Sequence, residues 1–136
     1  DPDGFIAEGT GDNFFIVSKG EILTPEGRNI LRGISRGYVF ELAEELGIPC
    51  RETNLEPYDV HTADEAFMTG TPFCMLPVTS LNGSEIADGK VGPKFSKILS
   101  TWSKNMGVDI KSQIQKWNSV DGSQVENTPT PYQFKK

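Results

Sequence analysis

The sequence is poor in the residues that most often announce chemistry. It has one histidine, His61, and two cysteines, Cys50 and Cys74, in 136 residues. No His/Cys set with zinc-ligand spacing can be drawn from them, and the cysteines form no CxxC pair. They sit in strand-like apolar contexts and read as two buried free thiols of a cytoplasmic protein. No apolar run approaches the ~20 residues of a membrane-spanning helix, and no basic stretch leads into an apolar one as in a secretory signal. Positive charge is also scarce: 13 lysines and arginines face 19 aspartates and glutamates, for a net charge of −6. That balance excludes the Lys/Arg footprint by which proteins neutralise nucleic-acid phosphates. The one basic grouping is Arg28, Arg32 and Arg36. There is no initiator methionine either. The chain opens on the turn sequence DPDG, so residue 1 is expected to be a cut inside a longer protein.

What is present is an ordinary globular composition, 36% hydrophobic, long enough for one domain with a core. Residues 4–8 and 14–18 read as strands around a glycine-rich segment, and Glu21–Thr24 as a third. Pro25–Asn29 reads as a loop. Ile34, Val39, Leu42, Ala43 and Leu46 recur at helical spacing, with Gly47 as terminator and Pro49 behind it. CRETNL (50–55) reads as a strand and 57–62 as a helical turn. EAFMTGT and FCMLPVTSL read as strands around a Gly-Thr-Pro corner. Asn82-Gly83 signals a hairpin with EIADG as the return strand. Pro93 opens a helix whose buried face is Phe95, Ile98, Leu99, Trp102 and Met106. Val108, Ile110, Ile114 and Trp117 extend the helical packing. The expected class is α/β (α+β): one domain over 1–117, then a polar tail over 118–136 in which Tyr132 and Phe134 are candidate anchors.

Three segments carry candidate chemistry. AEGTGDNFF places a carboxylate, Glu8, beside two glycines. LRGISRGYVF opens a helix at Gly33 with Ser35 in its first turn, where free amides and the helix dipole favour an anion. FMTGTPF ends a strand at Gly70, with Thr71 offering a hydroxyl and an N–H and Pro72 stiffening the corner. Each also has a plain structural reading: a solvated strand-end residue, an ordinary helix-start serine, a tight turn. Together they are the parts needed to hold a phosphorylated pyridine, a carboxylate for the ring nitrogen and two donors for the phosphate.

In order and local sequence, EGTGDNFFIV, GISRGYVFELAEELGI, ADEAFMTGT, LPVTSLNG and GPKFSKIL resemble the C-terminal half of the fold-type-IV enzymes that use pyridoxal phosphate. These are the branched-chain and D-amino-acid aminotransferases and aminodeoxychorismate lyase. The resemblance covers residues 1 to about 117. It implies the C-terminal domain of the D-amino-acid-aminotransferase-like fold, a mixed sheet or pseudo-barrel with flanking helices. It also implies roles. Glu8 becomes a buried partner of the ring nitrogen, and Leu31 packs against the ring. Gly33, Ile34 and Ser35 form the first phosphate site, and Thr71 the second. Relatives receive the substrate carboxylate on two successive amides of the corner Gly70–Thr71–Pro72, and Pro72 has no N–H. Asn13, Asp64 and Glu65 are read as fixing strands and turns, Arg36 as a salt bridge or loop contact, and His61 as a surface or capping residue. No metal is implied.

The family's Schiff-base lysine lies upstream of EGxG, before residue 1. None of the nine lysines (19, 90, 94, 97, 104, 111, 116, 135 and 136) stands in a matching context. The chain therefore reads as a cofactor cradle without its covalent anchor, inactive alone. It would be completed by an N-terminal half and by homodimerisation, and would act on an amino acid and a 2-oxo acid. The alternatives are a lyase releasing pyruvate from an aminodeoxychorismate-like substrate, and a non-enzymatic module binding a phosphorylated ligand.

Overall fold

The computed structural model describes residues 1–118. In chain order the elements are β1 (Glu8–Gly9), β2 (Asp12–Ser18), β3 (Glu21–Pro25), α1 (Ile34–Glu45), β4 (Cys50–Thr53), α2 (Pro57–His61), β5 (Glu65–Gly70), β6 (Cys74–Val78), β7 (Ser80–Leu81), β8 (Ser84–Glu85), α3 (Pro93–Met106) and α4 (Ile110–Asn118). Six strands form a mixed sheet in the order β4-β3-β2-β5-β6, with β1 paired to β2. Only β3–β4 is parallel, because α1 provides the crossover between them; the other pairs are antiparallel.

β2 is the centre of the sheet, and its residue period of two feeds two cores. Phe15 and Val17 enter a cluster with Val39, Leu42, Phe67, Phe95, Ile98 and Trp102, under α1 and α3. Phe14 and Ile16 enter the opposite cluster with Leu55, Val60, Ala63 and Ala66. Phe15 and Phe67 are paired across β2 and β5, and their rings stack with centroids 4.9 Å apart. Burying one such ring contributes roughly 2–3 kcal/mol. A strand covered on both faces has no polar side to show, which is why "NFFIV" is buried throughout.

Local chemistry explains the boundaries. Asn82 (φ 51°) and Gly83 (φ 81°) take the left-handed values that a two-residue hairpin turn between β7 and β8 requires. Gly47 follows α1 at φ 64°. In α2, Glu56 and Asp59 cap each other's ends of the first turn, and Pro57 needs no amide partner there.

Several expectations are corrected. Residues 4–7 are not sheet: the Ile6 amide donates to the Leu55 carbonyl at 2.7 Å and its side chain packs on the second cluster, leaving only Glu8–Gly9 as β1. Ile34 is 91% exposed; five residues before Val39, it lies about 140° around the helix from the buried stripe. Met106 keeps the stripe's phase at the end of α3, yet it is exposed, as are Val108 and Trp117. CRETNL is strand only over Cys50–Thr53, and the return strand after Gly83 is Ser84–Glu85 alone. The tail after Asn118, with Tyr132 and Phe134, lies outside the described residues.

Candidate functional site

At one end of the sheet three segments distant in sequence meet: the β1–β2 turn, the loop entering α1, and the β5–β6 corner. The register sets this. Asn13 of β2 is opposite Glu8 of β1 on one side and Thr69 of β5 on the other. The corner is pressed onto the turn, since a Cβ on Gly70 would sit 3.3 Å from the Gly11 carbonyl. The cleft between them has a volume of about 90 Å³ and is lined by Glu8, Asp12, Asn13, Leu31, Gly33, Ile34, Ser35, Thr69, Gly70 and Thr71. Glu8, Leu31, Gly33, Ile34, Ser35, Gly70 and Thr71 are thus brought together; Pro72 follows in the exposed corner and is not among the lining residues.

Glu8 departs from expectation in one respect: it is exposed, not buried. Its position is nonetheless fixed. Oε2 accepts the Leu31 amide at 2.8 Å and Asn13 Nδ2 at 3.1 Å. Oε1 has no partner among the described residues. Leu31 is 73% exposed beside the same cleft.

The entrance to α1 is open in a specific sense. Gly33 is the N-cap in extended conformation, with no side-chain cap. The Ile34 and Ser35 amides and the Ser35 and Thr71 hydroxyls have no hydrogen-bond partner among the described residues. Gly33 itself is required: a Cβ there would lie 2.5 Å from Asn13 Oδ1. Beneath the cleft, Thr69 is 1% exposed and its Oγ1 has no hydrogen-bond partner among the described residues. Buried polar groups are normally paired, so an orphaned hydroxyl at this place fits a site whose polar ligand would complete it.

Charge is distributed unevenly. Among the described residues no lysine or arginine lines the cleft. Arg36 turns away from it, as expected: its Nη2 donates to Glu52 Oε1 at 2.7 Å and to the Pro25 carbonyl at 3.2 Å, and its guanidinium lies over Phe40. The Arg36 hydrogen bond holds the Glu52 carboxyl below its ordinary range. Arg36 therefore ties the first turn of α1 to the end of β4. Burial pushes the Cys50 thiol up to about 12, and also raises that of Cys74. Both cysteines are free, as expected, though only partly buried. Among the described residues no group of His, Cys, Asp and Glu could hold a metal, and no helix is long and apolar enough to cross a membrane.

The remaining expectations concern support. Asp64 accepts the Lys19 amide at 2.9 Å and holds the β2–β3 turn. Glu65 does more than fix a turn: 7% exposed, it receives the Lys94 amide on Oε1 (2.9 Å) and the Phe95 amide on Oε2 (2.8 Å), capping α3 from β5. His61 is exposed at the end of α2. Asn13 and Thr69 are site-lining residues that sequence reasoning missed. The signal for Asn13 was its alternation with Phe14 beside EGTGD, which places a polar group at the sheet end.

The sequence model of the amino-transferase class IV family matches residues 1–81. The chain belongs to that family. It is 41% identical over 102 residues to the branched-chain-amino-acid aminotransferase of Pseudomonas aeruginosa, covering 75% of this chain and 33% of that protein. Against the Escherichia coli (strain K12) enzyme of the same name, identity is 36% over 122 residues, covering 89% and 38%. The fold matches too. The solved branched-chain amino acid aminotransferase from Escherichia coli superposes with a TM-score of 0.73 at 39% identity, covering 75% of this chain and 35% of that one. A second such enzyme, solved with pyridoxamine 5′-phosphate, gives a TM-score of 0.74 at 33% identity, over 76% and 35%. The chain thus spans about a third of the length of the curated relatives it matches.

Proposed function

We propose that the protein carrying this chain is a pyridoxal-phosphate-dependent class IV aminotransferase that moves an amino group between a branched-chain amino acid and a 2-oxo acid, and that this chain is its cofactor cradle. The observation that carries the reading is the convergence of Glu8, the free Ile34 and Ser35 amides and Thr71 on one cleft, in a chain this similar to branched-chain aminotransferases.

The residues fit the group. Glu8 would pair through its free Oε1 with the ring nitrogen and hold it protonated, and Leu31 would pack against the ring. The Ile34 and Ser35 amides, the Ser35 hydroxyl and the positive end of α1 would take the phosphate, with Thr71 as the second contact. When bound, the protonated ring supplies an electron sink for the substrate carbanion. The corner can offer the substrate carboxylate only the Thr71 N–H, since Pro72 has none, so carboxylate recognition here is shared with other groups. None of the described lysines lines the cleft. In this reading the covalent anchor is contributed by the rest of the protein, the chain alone does not turn over, and the working form is a cytoplasmic homodimer.

The test is a half-reaction. The intact protein loaded with pyridoxal phosphate is mixed with leucine and no acceptor, and the spectrum is followed for conversion to the pyridoxamine form. Conversion is expected. Pyruvate release from aminodeoxychorismate without any such conversion points instead to the lyase, and cofactor binding with neither reaction to a binding module.

A further inference from the structure

We propose that Asn13 is a positioning residue that couples the ring end of the cleft to its phosphate end. The inference rests on the function proposed above and concerns how Glu8 and the α1 entrance are held in register. Asn13 is 5% exposed on β2, between the two segments that supply these groups. Its amide nitrogen donates twice, to Glu8 Oε2 at 3.1 Å and to the Leu31 carbonyl at 2.7 Å. A carboxylate and a carbonyl are both acceptors, so the NH2 group must face them and Oδ1 must face Gly33. The Leu31 amide closes the circuit by donating to the same Glu8 oxygen at 2.8 Å, and the Gly33 amide donates to the Leu31 carbonyl at 3.0 Å.

One side chain thereby fixes three things. It occupies Glu8 Oε2, which leaves Oε1 as the oxygen open to a ligand. It holds the Leu31 peptide, whose side chain borders the cleft. Its Oδ1 abuts Gly33, the residue from which the free amides of α1 begin. A ligand that bridges Glu8 and the α1 amides depends on the spacing this circuit sets; inorganic phosphate, which needs only the α1 end, does not.

The test uses Asn13→Ala and Asn13→Asp, the second nearly isosteric but with an acceptor where the NH2 stood. Two readouts are taken on the full chain and on the intact protein. The first is hydrogen exchange at the Leu31 amide, with the Lys94 and Phe95 amides as reporters that the fold is kept. The second is the affinity for pyridoxamine 5′-phosphate relative to inorganic phosphate, by calorimetry. Both variants are expected to lose Leu31 protection about tenfold or more while Lys94 and Phe95 keep theirs. Both are also expected to weaken pyridoxamine phosphate about tenfold more than phosphate, the scale of a lost charge-assisted hydrogen bond. Unchanged Leu31 protection, or equal weakening of both ligands, overturns the proposal. If the wild-type intact protein binds neither probe, the proposed function fails, and Leu31 exchange still decides whether Asn13 holds the loop.

Discussion

Helices α1 and α3 begin alike and end up in opposite circumstances. Each follows a glycine in extended conformation, Gly33 at φ −64°, ψ 148° and Gly92 at φ −81°, ψ 164°, with no side-chain N-cap. Each glycine is there because a neighbour leaves no room for a Cβ: Asn13 at Gly33, the Glu65 carboxylate at Gly92. At α3 that neighbour is an anion supplied by the protein, and the first-turn amides of Lys94 and Phe95 are saturated by it. At α1 the neighbour is a neutral amide turned toward Glu8, and the amides of Ile34 and Ser35 are left to a cleft. The free N–H groups and dipole are the same in both helices. One end is closed by a carboxylate of the fold itself, and the other opens on the cleft to which the proposed function assigns the phosphate. The two glutamates mirror this: Glu65 uses both oxygens on α3, whereas Glu8 is exposed and commits one.

The contrast can be broken from either side. The largest effect is expected at Gly92→Ala, whose Cβ would displace the buried Glu65 carboxylate from the α3 amides. Overpacking and the lost cap together should cost about 2–4 kcal/mol in urea unfolding, with a loss under 1 kcal/mol contradicting the role of Glu65. Next comes the pair of glutamates. Glu65→Gln should destabilise by about 1–3 kcal/mol, because an NH2 would face a backbone donor. Glu8→Gln should move stability by no more than about 0.5 kcal/mol at its exposed site. The same change in the intact protein should leave cofactor binding but remove most transamination. Destabilisation by Glu8→Gln as large as that of Glu65→Gln would erase the distinction. A smaller effect is expected at Ser35→Ala: stability unchanged, and affinity for pyridoxamine 5′-phosphate reduced about three- to tenfold, one hydrogen bond's worth.

The smallest effect concerns the brace behind α1. Arg36 holds Glu52 below its ordinary value of 4.5 in the folded state. The unfolded chain therefore binds more protons in the interval between the two values. The stabilisation is complete above about 4.5 and is lost as pH falls through the folded value. With the Glu52 side chain 41% exposed, solvent screening limits it to about 1 kcal/mol or less. The difference in urea midpoint between wild type and Glu52→Gln should be present at neutral pH and shrink below pH 4.5. A difference independent of pH would assign the contact to packing.

What could be read from the sequence was local. Asn82-Gly83, Gly47 and Pro93 act through their own backbone, so the hairpin, the end of α1 and the start of α3 were visible without a structure. So were the pieces of the site, because EGTGD, GIS and GTP each carry their chemistry within a few residues. What was not legible depended on distant partners. The carboxylate that caps α3 comes from 29 residues away at Lys94 and 30 at Phe95. Asn13 reaches 18 residues to Leu31, and Glu8 could not be known as exposed until β1 was seen to be two residues long. Ile34 fits the apolar spacing of the core stripe, but its place in the first turn sets it outside.

The most direct measurement follows the two helix starts together. Amide resonances of the full chain and of the intact protein are recorded while pyridoxamine 5′-phosphate is added. Shifts that saturate are expected at Ile34, Ser35 and Thr71, with Lys94 and Phe95 unmoved because Glu65 already occupies them. No movement at Ile34 and Ser35 in the intact protein, or equal movement at both helix starts, would contradict it.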